Sequence, residues 1–221
     1  MFAAVFEDNY RTKGLRRNLV KTIESKGIKD INVLNAINKI PRHYFFDQAL
    51  LEHAYQDKAF PIGEGQTISQ PYTVAFQSEL LEVEPGQKIL EIGTGSGYQA
   101  CVLLELGAKV ITIEYQKKLY DQTRKVLPKM GYNATFLYGD GSQGVPRHAP
   151  FDRIIVTAGA PIIPKPLVEQ LNIGGILVIP VGDDKKQKMV KIKKIDTNKI
   201  AKKEYDLFSF VPLKGKHGWG N

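Results

Sequence analysis

Residues 89–98 read ILEIGTGSGY, a short apolar run followed by three closely spaced glycines. The run predicts a buried strand, and Gly93, Gly95 and Gly97 predict a tight turn from that strand into a helix. Glycine lets the backbone come close to a ligand, and the unpaired N–H groups at a helix start carry partial positive charge. The G-x-G-x-G spacing departs from the G-x-G-x-x-G dinucleotide fingerprint, so the turn alone is a weak signal of function.

The alternation of strand and helix continues along the chain. Short apolar runs occur in five places, which read KILEIG (88–93), KVITIEY (109–115), ATFLYGD (134–140), FDRIIVTAGAP (151–161) and GGILVIPVG (174–182). Helical patterns that begin near Gly97, Gln116 and Pro164 separate them. Strands that are apolar on both faces and separated by helices indicate a parallel sheet covered on both sides. We therefore predict a doubly wound α/β fold.

Further elements flank this core. Helical spacing predicts two amphipathic helices before Pro41 and another helix after the loop GEGQTISQPY (63–72). Beyond Gly182, alternating lysine and apolar residues around Thr197-Asn198 predict an antiparallel hairpin at the sheet edge. We expect a single domain, 1–221, with N-terminal helices and the loop in 1–84, the α/β core in 85–182 and the hairpin with a final segment in 183–221.

Composition and charge limit the classes of function. The chain has 221 residues, of which 43% are hydrophobic and 24% charged, as in ordinary globular proteins. One cysteine, Cys101, and four widely spaced histidines predict neither a disulfide nor a metal site. No run reaches the roughly 20 apolar residues of a membrane span, and MFAAVFEDNY (1–10) does not resemble a signal peptide, so we expect a soluble cytoplasmic protein. The net charge of +8 would suit a polyanionic partner, but many lysines are concentrated between Asp183 and Asp206, which weakens that interpretation.

Acidic residues at successive strand ends indicate a cofactor. Glu114 ends the second strand about twenty residues after the glycine turn, where a carboxylate can accept hydrogen bonds from both ribose hydroxyls of an adenosine group. Asp140 follows the third strand between two glycines and is placed to reach an adenine edge. Either residue alone could be a helix cap or a solvated loop residue. Their recurrence on one side of the sheet, beyond the carboxyl ends of the strands, favours a ligand site.

Glu91, inside the first strand, indicates the charge of that cofactor. A carboxylate two residues before Gly93 would repel a pyrophosphate, whereas it would attract a sulfonium and an ammonium group. An adenosine joined to a cation describes S-adenosylmethionine and describes NAD poorly.

Five segments together resemble the protein-L-isoaspartate (D-aspartate) O-methyltransferase family. They read GQTISQPYTVAF (65–76), ILEIGTGSGYQACVLLELGAKVITIE (89–114), GDGSQG (139–144), PFDRIIVTAGAPIIPKPLVEQLNIGGILVIPVG (150–182) and FVPLKG (210–215). The resemblance runs from about Leu15 to Gly215 and implies a class I methyltransferase, Rossmann-like and mostly parallel. It also implies methyl transfer from S-adenosylmethionine to the α-carboxyl of isoaspartyl residues in damaged proteins and peptides. That transfer releases S-adenosyl-L-homocysteine and starts repair through a methyl ester and a succinimide.

Matched by position, the resemblance implies two sets of site residues. Those around the cofactor are Gln66, Thr67, Ile68, Ser69, Glu91, Gly93, Thr94, Gly95, Gly97, Glu114, Tyr115, Gly139, Asp140, Gly141 and Thr157. Those beside the substrate are Ser69, Gln70, Pro71, Val211, Pro212 and Leu213, with Ser69 at the family's active-site serine. The terminal KGKHGWGN (214–221) matches no pattern that we can place, which leaves open the roles of Lys214, His217 and Trp219.

The implied reaction explains why hydroxyl groups occupy the loop. A carboxyl group with a pKa of roughly 3 to 4 is already ionised near neutral pH, so its methylation needs no general base. A hydroxyl donor can orient one carboxylate oxygen and leave the other to attack, whereas a lysine would pair with the nucleophile. Ser69 is therefore the candidate catalytic residue, without a covalent intermediate. The alternative is a structural role for Ser69 as the N-cap of a helix that starts near Pro71.

Two other functions compete with this interpretation. A nucleic-acid methyltransferase would suit the charge, but the fourth strand ends in TAGAPIIP rather than the (N/D)PP(Y/F) run of amino-methylating enzymes, and Cys101 lies outside a Pro-Cys motif. A non-catalytic cofactor-binding module would not need the intact hydroxyl loop. We expect isoaspartyl proteins as partners, no nucleic acid, no membrane and a monomer.

Overall fold

A seven-stranded sheet forms the centre of the protein, and the glycine turn follows its middle strand. The structure is a computed structural model that describes residues 7–220. Residues 1–6, part of the segment that we expect not to be a signal peptide, lie outside the described residues, as does Asn221. In chain order the strands are β1 (Phe60–Gly63), β2 (Gln66–Ile68), β3 (Lys88–Ile92), β4 (Lys109–Glu114), β5 (Thr135–Tyr138), β6 (Phe151–Val156), β7 (Leu171–Gly182), β8 (Gln187–Lys194) and β9 (Ile200–Phe208).

The central sheet has the predicted doubly wound topology. Its strand order is β5-β4-β3-β6-β7-β8-β9, and the five strands from β5 to β7 are parallel. From β3 the chain first winds outward through β4 and β5, then crosses to β6 and β7 on the other side. The winding direction therefore reverses between β3 and β6, and sheets of this kind bind ligands beyond the carboxyl ends of the strands at such a reversal. The five predicted strands are confirmed.

Helices cover both faces of the sheet. They are α1 (Tyr10–Ser25), α2 (Ile31–Lys39), α3 (Pro71–Leu81), α4 (Tyr98–Glu105), α5 (Lys117–Val126) and α6 (Lys165–Glu169), with 3-10 turns at Arg42–Phe45, Gln48–His53, Leu127–Met130, Gly141–Gln143 and Pro146–His148. Side chains alternate along a strand, so Ile89 packs into the core under α1 to α5, while Leu90 packs into the second core with α6. Burial on both faces explains why these strands read as continuous apolar runs. Within residues 7–220, no helix is long and apolar enough to cross a membrane.

The segment predicted as a loop before α3 is a small hairpin. Strands β1 and β2 pair antiparallel, with Phe60 opposite Ile68 and Pro61 opposite Thr67. The two turn residues, Glu64 and Gly65, have φ values of 53° and 67°, as expected for a tight primed turn. The hairpin therefore holds Thr67, and Ser69 directly after it, on a regular hydrogen-bonded backbone rather than on an irregular loop.

The C-terminal part adds the predicted hairpin and then returns to the cleft. Strand β8 pairs antiparallel with β7 and β9, and β9 forms the sheet edge. In β8, Met189, Val190 and Ile192 are buried whereas Lys188 and Lys193 are exposed, which confirms the predicted charged face toward solvent. After β9 the chain passes the end of β6, where Pro212 forms a parallel bridge with Gly159.

Candidate active site

A cleft lies beyond the carboxyl ends of β3, β4 and β6, at the reversal of strand order. The structure brings fourteen of the predicted site residues to its wall, which are Gln66, Thr67, Ile68, Ser69, Gly93, Thr94, Gly95, Glu114, Tyr115, Gly141, Thr157, Val211, Pro212 and Leu213. These residues come from the small hairpin, the sheet ends and the segment after β9. The cleft therefore joins parts of the chain that are far apart in sequence.

The glycine turn forms the floor of the cleft, and its three glycines have different roles. Gly93 has φ of +96°, and a Cβ atom there would lie 2.5 Å from Oγ1 of Thr157. Gly95, with φ of +53°, lies under Ile62 of the hairpin. Gly97 does not line the cleft, because it packs against α5, where a Cβ atom would lie 2.7 Å from Leu127. The first two glycines thus open the cleft, and the third allows close helix packing.

Glu114 sits at the end of β4 with only 5% of its surface exposed. Its Oε2 accepts a hydrogen bond from the N–H of Gly95 and its Oε1 accepts one from the N–H of Gln116, both at 2.8 Å. Burial raises the pKa of this carboxyl above its ordinary value, and the hydrogen bonds from Gln116 and Gly95 oppose that rise. The backbone of Tyr115 also hydrogen-bonds to this carboxylate, so Glu114 is a fixed acceptor in the wall of the cleft.

Glu91 lies beneath the cleft rather than in its wall, because its side chain is fully buried between β3 and its neighbours. Thr112 donates its hydroxyl to Oε2 of Glu91 at 2.5 Å, and Thr94 in turn contacts the Thr112 hydroxyl at 2.6 Å. Oε1 is buried and has no hydrogen-bond partner among the described residues. Burial raises the pKa of Glu91 to about 8, and the nearby charge of Glu114 adds to that rise, against the lowering by Thr112. A buried acceptor without a partner is costly unless a ligand compensates it.

Six of the predicted residues lie outside the cleft wall. Gly97 and Glu91 are described above; the others are Gly139, Asp140, Gln70 and Pro71. The Asp140 carboxylate, expected at an adenine edge, instead accepts hydrogen bonds from Ser142, Gln143 and the backbone N–H of Lys216. Its oxygens are turned toward the C-terminal segment because that segment folds back over this loop.

Ser69 lies between the hairpin and α3, but it does not cap the helix. The N-cap of α3 is Gln70, whose side chain makes no capping hydrogen bond, and Pro71 occupies the first turn. The alternative role of Ser69 as an N-cap is therefore wrong by one position. No hydrogen-bond partner is found for its hydroxyl within residues 7–220, and the same holds for the hydroxyl of Thr67. Both hydroxyls are available to a ligand.

The backbone around Ser69 is held by a buried guanidinium group. Arg42 is fully buried and donates from Nη2 to the carbonyl oxygens of Lys58, at 3.2 Å, and Ser69, at 3.0 Å. These carbonyls flank the hairpin on both sides. Asp57 also fixes the chain next to Ser69. Its carboxylate accepts hydrogen bonds from the backbone N–H of Tyr72 at 2.8 Å and from the side-chain amide of Gln70 at 3.0 Å.

A wider groove opens from the cleft next to Ser69. It has a volume of about 680 Å³, against about 70 Å³ for the cleft, and it is lined by Lys26, Ala59, Thr67, Ser69, Gln70, Tyr72, Thr73, Thr157, Lys186, Leu207, Phe208, Ser209, Phe210 and Val211. The two spaces share Thr67, Ser69, Thr157 and Val211. Gln70, which the cleft lacks, lies in this groove. The arrangement can hold one ligand in the cleft and a second, extended one in the groove, with the two meeting at Ser69.

Sequence reasoning missed several residues of the cleft wall. They are Val74, Ile92, Ser96, Tyr98, Gln99, Ile113, Gln116, Ala158 and Lys214. Ile92, Ile113 and Gln116 are direct neighbours of predicted residues at strand ends, so strand position alone could have identified them. Val74 and Lys214 carry no local signal, because only tertiary contacts bring α3 and the C-terminal segment to the cleft.

Cys101 and His43, two potentially reactive side chains, are buried outside the cleft. Cys101 is buried in α4, and burial raises the pKa of its thiol well above the ordinary value, which suits a small core residue. His43 is buried between the hydroxyl of Tyr55, at 2.7 Å from Nδ1, and the carbonyl oxygen of Glu7, at 2.9 Å from Nε2. In the part of the chain that the structure describes, no group of three His, Cys, Asp or Glu side chains is arranged to hold a metal ion.

Comparisons of the sequence identify close relatives. A model of the protein-L-isoaspartate(D-aspartate) O-methyltransferase family matches residues 14–218. A protein-L-isoaspartate O-methyltransferase from Cytophaga hutchinsonii is 60% identical over 213 residues, which cover 96% of this chain and 96% of the relative. Another, from Christiangramia forsetii, is 56% identical over 208 residues, which cover 94% of this chain and 97% of the relative. The similarity thus extends over nearly the whole chain.

Comparison of the fold leads to the same group. A solved protein-L-isoaspartate O-methyltransferase matches with a TM-score of 0.81 at 28% identity, covering 92% of this chain and 67% of that chain. A second structure, from Plasmodium falciparum and described under the same enzyme name with S-adenosyl-L-homocysteine bound, matches with a TM-score of 0.77 at 26% identity. That match covers 94% of this chain and 99% of the other. The predicted class I methyltransferase fold is confirmed.

Proposed function

This chain belongs to the protein-L-isoaspartate(D-aspartate) O-methyltransferase family, and from that premise we propose how its cleft and groove perform the reaction. The enzyme transfers the methyl group of S-adenosylmethionine to the α-carboxyl of L-isoaspartyl residues in damaged proteins and peptides, which starts their repair through a methyl ester and a succinimide. The observation that carries the proposal is the junction of cleft and groove at Thr67, Ser69, Thr157 and Val211. It lets a cofactor and a peptide approach each other beside an unused hydroxyl.

The residues of the cleft fit S-adenosylmethionine. Backbone N–H groups fix the Glu114 carboxylate at the end of β4, and its remaining acceptor capacity faces the cleft and binds the ribose hydroxyls. Gly93 and Gly95 leave the floor open, since a side chain at Gly93 would collide with Thr157. We assign the adenine to the part of the wall formed by Ile113, Tyr115 and Gly141.

Glu91 supplies the negative charge that favours a cationic cofactor. When bound, S-adenosylmethionine supplies a methyl group on a positively charged sulfur. The unpartnered Oε1 of Glu91 is open to a positive neighbour, and because burial raises the pKa of this carboxyl to about 8, its charged form depends on such a neighbour. Such a neighbour stabilises the ionised form of Glu91, which in turn strengthens the binding of the cation. Thr94 and Thr112 fix the orientation of that carboxyl through their hydroxyl contacts.

Ser69 orients the substrate carboxylate. The carboxyl group is already ionised near neutral pH, so the site contributes alignment and exclusion of water rather than a base. The Ser69 hydroxyl donates to one carboxylate oxygen and leaves the other free to face the methyl group. Arg42 holds the Ser69 backbone, and its buried guanidinium keeps that hydroxyl in place. Gln70 and Val211, which line the groove, hold the flanking peptide, and Pro71, Pro212 and Leu213 support them as the adjoining residues.

The proposal also covers the domain organisation, the oligomeric state and the partners of the enzyme. We propose that residues 1–221 act as one domain and that the enzyme is a cytoplasmic monomer without nucleic-acid or membrane partners. The exposed lysines of β8 and β9 lie on the hairpin rather than around the cleft, which supports a role in solubility. Size-exclusion chromatography with light scattering tests the monomer, and elution at the mass of two chains would contradict it.

The activity is tested with labelled S-adenosylmethionine and three acceptors: an isoaspartyl peptide, its normal aspartyl twin and tRNA. We expect base-labile methyl groups on the isoaspartyl peptide and on neither of the others. Incorporation into tRNA alone would instead support the rival class, a nucleic-acid methyltransferase.

A further inference from the structure

The C-terminal segment Lys214–Trp219, here called the tail clamp, folds back on itself next to the cleft. The backbone N–H of Trp219 donates to the carbonyl of Leu213 at 2.8 Å, and Lys214 and Trp219 form a bridge. The N–H of Gly218 donates to the carbonyl of Gly215 at 3.0 Å. This compact loop begins directly after the predicted substrate-side residues, and the reaction described above gives it no role.

One side of the tail clamp holds the loop after β5. The N–H of Lys216 donates to Oδ2 of Asp140 at 2.8 Å, and the N–H of His217 donates to Oγ of Ser142 at 2.9 Å. A Cβ atom at Gly215 would lie 1.9 Å from Oδ1 of Asp140, so only glycine fits there. Burial acts to raise the pKa of Asp140, but the hydrogen bonds from Lys216 and Ser142 outweigh it and lower the pKa. The Asp140 carboxylate therefore anchors the tail clamp to the cofactor side of the cleft.

The other side of the tail clamp holds the substrate-side segment Val211–Leu213. The indole N–H of Trp219 donates to the carbonyl oxygen of Gly159 at 2.9 Å. The same oxygen accepts the N–H of Leu213 at 2.8 Å, and the N–H of Gly159 donates to the carbonyl of Val211 at 2.8 Å. Gly159 lies just beyond β6, which ends at Val156, so Trp219 links the substrate-side segment to the chain that leaves the central sheet.

We propose that the tail clamp sets the position of Val211–Leu213 relative to the cofactor loop, and that Trp219 is a positioning residue that acts through Gly159 and Leu213. The proposal rests on the function proposed above, since it concerns the binding of the isoaspartyl peptide. Trp219 does not line the cleft, but its backbone N–H bonds to Leu213, which does, and its indole N–H bonds to Gly159, the backbone partner of Val211 and Leu213. Loss of the indole N–H leaves the carbonyl of Gly159 with one donor instead of two and loosens the groove wall.

Trp219→Phe tests this role because it keeps an aromatic ring and removes the donor. We expect the KM for an isoaspartyl peptide to rise about fivefold, the effect of one lost hydrogen bond, while kcat and the KM for S-adenosylmethionine change less than twofold. His217→Ala is the matched control, since it removes a side chain from the same loop and keeps the N–H that Ser142 accepts. A peptide KM that stays within twofold of the parent value in Trp219→Phe would overturn the proposal.

Fluorescence tests the link to the cofactor loop without any turnover. Trp219 is the single tryptophan of the chain, so its emission reports only on the tail clamp. We expect Asp140→Ala, in the absence of cofactor, to shift this emission to the red and to increase quenching by iodide, because Lys216 loses its acceptor. Addition of S-adenosyl-L-homocysteine to the parent protein should reduce the quenching. Unchanged emission and quenching in Asp140→Ala would show that the loop after β5 does not hold the tail clamp.

The outcomes separate this proposal from the proposed function. If the parent protein methylates no isoaspartyl peptide, the proposed function fails whatever the tail clamp does. If the parent is active and Trp219→Phe behaves like the parent in peptide KM, only the role of Trp219 fails.

Discussion

The two sides of the active site are built differently. On the cofactor side, Glu114 and Glu91 are 5% and 0% exposed in the sheet; backbone N–H groups hold both oxygens of Glu114, and the Thr112 hydroxyl holds Oε2 of Glu91. On the substrate side, Ser69 follows a small hairpin whose Thr67 lines both the cleft and the groove, and the structure shows no hydrogen-bond partner for either hydroxyl within residues 7–220. The cofactor side is preformed, whereas the substrate side keeps its donors unused.

The difference matches what each side has to recognise. A cofactor is the same molecule in every turnover, so acceptors that are fixed in the sheet before binding suit it best. Damaged proteins differ in sequence around the isoaspartyl residue, and only the extra carboxylate and the backbone are shared. A wide groove with free hydroxyls at its inner end suits such a substrate. Substitutions on the two sides should therefore affect different constants.

Ser69→Ala should give the largest effect, on the substrate side. We expect kcat for an isoaspartyl peptide to fall about 100-fold, as when one preorganised donor is removed from an active site, with a much smaller loss of S-adenosyl-L-homocysteine affinity. The melting temperature should not change, because Gln70 rather than Ser69 is the N-cap of α3. Steady-state kinetics and calorimetry measure the two constants, and Ser69→Thr is the control that keeps a hydroxyl. Equal losses in kcat and affinity would place Ser69 on the cofactor side instead.

Glu114→Ala should weaken the cofactor side. Two hydrogen bonds from ribose to a charged acceptor are lost, so we expect the affinity for S-adenosyl-L-homocysteine to fall about 100-fold by calorimetry. Glu114→Gln, which keeps one acceptor oxygen, should show an intermediate loss. At saturating S-adenosylmethionine, kcat should change far less than in Ser69→Ala. Unchanged affinity in Glu114→Ala would remove this residue from the ribose site.

Glu91→Gln should weaken cofactor binding and stabilise the folded protein at high pH. Burial raises the folded-state pKa of Glu91 from 4.5 to about 8, so the folded protein binds more protons than the unfolded chain between these values. Stability therefore falls as the pH rises through that window, and the glutamine variant should be more stable than the parent at pH 9 but not at pH 4. We expect about a tenfold loss of affinity for S-adenosylmethionine and a smaller loss for S-adenosyl-L-homocysteine, which lacks the sulfonium charge.

Denaturant unfolding at several pH values and calorimetry with both ligands measure these effects. A parent protein whose stability does not depend on Glu91 between pH 5 and 9 would contradict the raised pKa. Equal losses of affinity for the two ligands would show that Glu91 does not sense the sulfonium group.

Lys118→Ala should give the smallest effect. Lys118 of α5 bonds to Glu64 at the hairpin tip at 2.9 Å, and both side chains are partly exposed. Exposed ion pairs contribute at most about 1 kcal/mol, so we expect the KM for S-adenosylmethionine to rise by a factor of about two at low salt and to return to the parent value at high salt. Lys125→Ala, in the same helix but without an ion pair in the described part of the chain, is the control. Equal behaviour of the two variants would show that the hairpin tip does not depend on this contact.

The contrast between the two sides also explains what could be predicted from the sequence. The five strands and the glycine turn give strong local patterns, and Glu114 follows from its spacing behind that turn. The C-terminal hairpin is predicted equally well, because lysines are interspersed with apolar residues on both sides of the turn at Thr197-Asn198. Features of the sheet and of the cofactor side are encoded within short stretches of the chain.

The substrate side and the tail depend on contacts that no local pattern reveals. Strands β1 and β2 have four and three residues, too few for a periodic signal, so the sequence predicts a loop where the structure has a hairpin. The Asp140 carboxylate accepts the backbone N–H of Lys216, a residue that lies 76 positions further along the chain. This distant contact turns the carboxylate away from the cleft. Gly97 carries the same glycine signal as Gly93, but only the position of Leu127 shows that it serves helix packing.

A structure of the complex with S-adenosyl-L-homocysteine and an isoaspartyl peptide tests the central claim most directly, because it shows both sides of the site at once. We predict that Oγ of Ser69 lies within hydrogen-bond distance of the isoaspartyl carboxylate in the groove, while the Glu114 carboxylate bonds to the ribose hydroxyls in the cleft. A peptide carboxylate bound away from Ser69, with that hydroxyl still unpartnered, would contradict the division of the site into a preformed cofactor side and a substrate side that meets it at Ser69.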